Sequence, residues 1–69
     1  MLTKHTRIKS PLHPGVFVII GFLDDLHGDG PTYRIVPLQR HIDTPRQWRL
    51  YQSFLSMRAY NEHNWEVVG

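Results

Sequence analysis

Several side chains in this sequence have the chemistry for acid–base work, but none sits in a diagnostic spacing. His41 lies two residues before Asp43 and could be an oriented general base. Tyr33, Arg34 or Arg40 could then hold an anion beside it. A small metal-independent ribonuclease needs little more than such a grouping, so a nuclease toxin is the least favoured of three functional expectations. No phosphate-cradling glycine loop and no nucleophile elbow accompanies these residues.

Metal chemistry is also thinly supported. The five histidines (His5, His13, His27, His41, His63) are scattered, without a pair at helical i, i+4 spacing. Asp25-x-His27-x-Asp29-Gly30 imitates the first half of a calcium loop, but Val36 stands where its bidentate glutamate belongs. A charged hairpin tip over Asp24 to Asp29 is the simpler expectation. Cysteine is absent, which removes disulfides and thiolate ligands and favours the cytosol. No metal, no cofactor and no catalytic set is therefore expected.

Charge supplies a different possibility. The net charge is only +2, yet it is segregated. Residues 1–23 carry Lys4, Arg7 and Lys9 with no acid, residues 24–30 carry three aspartates, and residues 31–60 carry five arginines against Asp43. Such segregation makes a basic surface visible to a polyanion. Candidate contacts for nucleic acid or another partner are Lys4, Arg7, Lys9, Arg34, Arg40, Arg46, Arg49, Ser53 and Tyr60. No zinc finger, glycine-rich RNA-binding motif or helix-turn-helix accompanies them.

These groups must be positioned by the elements of one small domain, because 69 residues leave no room for a second. Residues 1–14 read as a basic extended arm or an edge strand, with Ile8 facing inward. Pro14-Gly15 is a turn signal. Val16 to Leu23 is the clearest strand, apolar on both faces and so central, with Gly21 marking a bulge. Its second face needs a cover from the arm, a curled sheet or another subunit. The longest apolar run, Val16–Leu23, is too short to cross a bilayer, and the N-terminus lacks the apolar run of a signal sequence.

Thr32 to Leu38 forms the returning strand, with Tyr33 and Ile35 on one face, Arg34 and Val36 on the other, and Pro37 ending it or marking an edge. Thr44-Pro45-Arg46-Gln47 has the form of a capping box with proline at the first helical position. It predicts one amphipathic helix running to about Tyr60. Trp48, Leu50, Tyr51, Phe54, Leu55, Met57 and Ala59 would face the core, leaving Arg46, Arg49, Ser53 and Tyr60 outside. Asn61 to Asn64 would stop the helix, and Trp65 to Val68 would form a short strand with Trp65 and Val67 inward.

The expected fold is thus α+β: a β-hairpin, one amphipathic helix and a short C-terminal strand in ββαβ order, with an N-terminal arm at residues 1–14 and the domain proper at 15–69. The aromatic supply and absence of an assembled reaction centre point first to a non-enzymatic regulatory protein acting by protein–protein association. That includes homodimer formation, an inhibitor or adaptor role, and the phage or mobile-element setting common for such short chains. The alternative is a nucleic-acid-binding regulator that uses the basic arm and the arginine face.

Overall fold

The computed structural model describes residues 2–24 and 30–68, and the α+β class expected from the sequence is what it shows. Among the described residues, five antiparallel strands form one sheet in the order β4-β3-β2-β1-β5. They are β1 (Arg7–Ser10), β2 (His13–Leu23), β3 (Thr32–Pro37), β4 (Ser53–Leu55) and β5 (Glu66–Val67). Three short helices accompany them: α1 (Leu38–Asp43), α2 (Trp48–Tyr51) and α3 (Met57–Glu62).

The β-branched run predicted to be central is indeed flanked on both sides, by β1 and β3. Ile8 is fully buried, as expected, but β1 lies between β2 and β5 and is an interior strand. The chain before it is also engaged. His5 N–H donates to the Ile19 carbonyl at 2.7 Å, and Leu2 N–H donates to the Tyr33 hydroxyl at 3.0 Å. Pro11-Leu12, rather than Pro14-Gly15, turns the chain between β1 and β2. Lys9 pairs with Val16 and Ser10 with His13, so Pro14 and Gly15 are extruded from the register, and Gly15 supplies the φ of +86° that the extrusion requires. The bulge expected at Gly21 is present: Ile19 pairs with Ile35 and Gly21 with Arg34, leaving Ile20 unmatched.

Each sheet face has its own core. Ile8, Ile19, Tyr33, Ile35, Leu55 and Trp65 are buried together on the first face, with Met57, Ala59 and Tyr60 of α3 packed against them. Val18, Ile20 and Val36 form the second cluster, and Trp48 of α2 packs on it. The cover required by the two-faced strand therefore comes from the chain itself.

The single helix over 44–60 is not formed. Thr44-Pro45-Arg46-Gln47 closes a turn instead, with Gln47 N–H donating to the Thr44 carbonyl at 3.0 Å. Proline has the same φ at the second position of a turn and at the first of a helix, so the motif serves both. Helical structure instead precedes the turn, as α1, and resumes after it for only the four residues of α2 before the chain extends. Gln52 then turns extended (φ −72°, ψ 146°), and β4 docks on β3 through Tyr33–Leu55, Arg34–Phe54 and Ile35–Ser53 pairs. Strand pairing buries Leu55 and leaves Phe54 58 % exposed, while Leu50 in α2 is 75 % exposed; a single helix would have placed all three in the core. Ser56, whose hydroxyl accepts from Ala59 N–H at 3.1 Å, caps α3.

Asn64 adopts the left-handed conformation expected of the helix stop (φ +56°). Trp65 is buried as predicted, whereas Val67 is half exposed because β5 is an outer strand with nothing beyond it. Among the described residues no helix is long and apolar enough to cross a membrane.

Candidate functional site

Cross-strand partners share a face, so the register decides which polar groups stand together. Arg7 pairs with Val18, which pairs with Val36, and both valines belong to the second core cluster. Arg7 therefore projects from the second face, as do Lys9, two residues on, and Arg34, two residues before Val36. The segment covering this face carries Arg40 in α1, Arg46 in the turn and Arg49 in α2. Six cationic side chains thus belong to one face of the sheet and its cover.

Their environments differ. Lys9 Nζ lies 3.5 Å from Glu66 Oε1, an exposed pair of little energetic weight. Arg40 stacks its guanidinium on the Tyr51 ring, 4.6 Å from the centroid. Arg34 lies over Gly21, where an added Cβ would stand 2.5 Å from its Nη2. Glycine at the bulge leaves room for that side chain to lie flat on the sheet. Arg34 Nε is buried there without a hydrogen-bond partner among the described residues. Arg7, Arg34, Arg40, Arg46 and Arg49 form no ion pair with a described carboxylate.

Lys4 is exposed in the turn that precedes His5. Ser53 and Tyr60, expected beside Arg46 and Arg49 on one helix surface, are separated from them. Ser53 pairs with Ile35 on the first face, and Tyr60 packs into the first core cluster. Its ring lies 6.2 Å from that of Tyr33, and burial, then the neighbouring Tyr33 and Glu66, pushes its phenol above the ordinary value. The loss of the single helix is what splits the predicted set.

The acid–base grouping is also dispersed. Asp43 Oδ2 accepts from the Gln39 amide at 2.7 Å, while the His41 ring stacks on Trp48 at 4.4 Å. His41 Nε2 is buried without a hydrogen-bond partner among the described residues. Tyr33 lies in the first core, on the opposite face from Arg34. The charged hairpin tip expected over Asp24 to Asp29 falls, from residue 25 onward, outside the described residues.

The first face carries a feature that sequence spacing does not disclose. His13, Phe17, Ile35, Ser53, Ala59, His63 and Trp65 are among the walls of a groove of about 210 Å³. His13 stacks on Trp65 (5.2 Å, 17°), which meets Phe17 edge-on (5.4 Å, 80°). The two histidines come from opposite ends of the chain. Only the pairing of β1 with β5 shows that they meet.

Comparison with protein-family models, curated proteins and solved structures finds no match to this chain.

Proposed function

We propose that this protein binds nucleic acid through its second sheet face, gripping the phosphate backbone without reading base sequence. The observation that carries this reading is the strand register. It assigns Arg7, Lys9 and Arg34 to the face covered by the segment bearing Arg40, Arg46 and Arg49. Lys9 is engaged with Glu66, while the five arginines have no carboxylate partner among the described residues. Guanidinium groups suit bidentate phosphate contacts, and such contacts position a protein on a strand without specifying sequence.

The reading has a quantitative signature. Five phosphate contacts give a slope of log affinity against log salt of about −3.5 on single strands and about −4.5 on duplex. Fluorescence anisotropy with labelled oligonucleotides of both kinds measures this directly. Replacing Arg40 and Arg49 by alanine should flatten the slope by about 1.5 and weaken binding to unrelated sequences equally. Absence of binding at low salt, or affinity indifferent to salt, would sink the reading.

Protein–protein association, the first expectation from the sequence, is the second reading here, favoured by one observation. Phe54 is 58 % exposed on β4, the outermost strand at one edge of the sheet, and open edges recruit partner strands. Under that reading a captured partner survives nuclease treatment and is lost in Phe54→Ser, while the arginine variants retain it.

A further inference from the structure

We propose that His13 and His63 form an open, two-imidazole clasp for a tetrahedral divalent metal ion, with zinc the best geometric fit. His13 Nε2 and His63 Nδ1 stand 3.4 Å apart. That is long for a hydrogen bond to a ring nitrogen, which runs nearer 3 Å. It does match a shared ligand. Two imidazole nitrogens each about 2.0–2.1 Å from zinc, at a tetrahedral angle, lie about 3.3–3.4 Å from each other. A right-angled pair on a square-planar or octahedral ion would stand only about 2.9 Å apart, so the spacing lies closer to that of a tetrahedral ion. The ring centroids stand 5.4 Å apart and the ring planes are inclined at 45°.

The clasp is also held from behind. The Ser10 hydroxyl donates to the His63 carbonyl at 2.6 Å and accepts from Leu12 N–H at 3.2 Å. One buried side chain therefore ties the end of α3 to the hairpin that carries His13. On the other side, Trp65 fixes the His13 ring by stacking, and His63 N–H is anchored on the Ala59 carbonyl at 2.9 Å. The main-chain anchors of His63 and the stacked ring of His13 keep the two imidazoles side by side. Among the described residues no third histidine or carboxylate joins the pair, so water or a small ligand fills the remaining positions. An open site of this kind binds more weakly than a closed four-ligand one, with a dissociation constant of about 1–100 μM.

The test is a zinc titration of the full chain, followed by the imidazole ¹⁵N and ¹H resonances. Shifts of His13 and His63 that saturate below about 1 mM zinc, with the other histidines unmoved and magnesium inert, are expected. Single His13→Gln and His63→Gln variants should bind at least about tenfold more weakly. Ser10→Ala, which removes no ligand, should weaken binding by a smaller factor. Wild-type ring shifts decide the matter even if a variant folds poorly. No shift at either ring, equal shifts at every histidine, or undiminished binding by a folded double variant would each overturn the proposal.

Discussion

Trp48→Ala should cost this protein about 2.5 kcal/mol, and Leu50→Ala less than about 0.5 kcal/mol. Trp48 alone is packed, partly buried, on the Val18, Ile20 and Val36 cluster, while Leu50, two residues away, is 75 % exposed. Halving the roughly 200 Å² that a fully buried tryptophan removes from water leaves about 100 Å², worth about 2.5 kcal/mol at about 25 cal/mol per Å². Truncation also removes the His41 stacking partner. A chain of this length is stabilised by roughly 3–10 kcal/mol, so the variant should remain folded but melt about 10–20 °C lower. Urea denaturation followed by far-ultraviolet circular dichroism measures both variants. The small Leu50 cost departs from the expectation of one amphipathic helix, in which Leu50, like Trp48, is a core residue worth about 2–5 kcal/mol. A Leu50→Ala cost above about 2 kcal/mol, or a Trp48→Ala cost below about 0.5, would refute the packing of the second sheet face.

Two further perturbations probe the first face. Ser56→Ala removes the cap of α3 and should cost about 1 kcal/mol in the same denaturation experiment, while Ser56→Asp should largely retain it. The Tyr60 phenol is held neutral by burial, so it should titrate above the ordinary tyrosine range when followed by ultraviolet absorbance. Because its folded value is raised, its stabilising effect is complete below the unfolded value of 10.0 and is lost as pH rises through the folded one. Tyr60→Phe should remove that part of the alkaline stability loss, and an unchanged profile would show that the phenol is not the cause.

Much of the sheet was legible in the residues. The run Val16 to Leu23 is β-branched and apolar on both faces, which demanded a central strand with two covers, and both exist. The alternation Tyr33-Arg34-Ile35-Val36 placed Arg34 opposite Tyr33, and Gly21 announced the bulge on which Arg34 lies. The helix was misread because two local codes overlap. Thr-Pro-x-Gln suits a turn as well as a cap, and the apolar residues from Trp48 to Met57 satisfy a helical period while Leu55 gains more from docking beside Tyr33. Ser56 was the available warning, since a serine that caps α3 cannot also lie inside a longer helix. The basic candidates on β1 and β3 share one face, while Ser53 and Tyr60 fell away with the helix that had joined them. Nothing in spacing could pair His13 with His63, which are 50 positions apart and meet only through tertiary contacts.

The arrangement of both faces depends on Ser53–Leu55 being a strand beside Tyr33–Ile35. Backbone nuclear Overhauser contacts in isotope-labelled protein report this most directly. Cross-strand contacts from Ser53, Phe54 and Leu55 to Ile35, Arg34 and Tyr33, with the helical i, i+3 series broken at Gln52, are expected. An unbroken helical series from Pro45 to Tyr60 would contradict the fold, and with it the division of the molecule into a basic face and a histidine-lined groove.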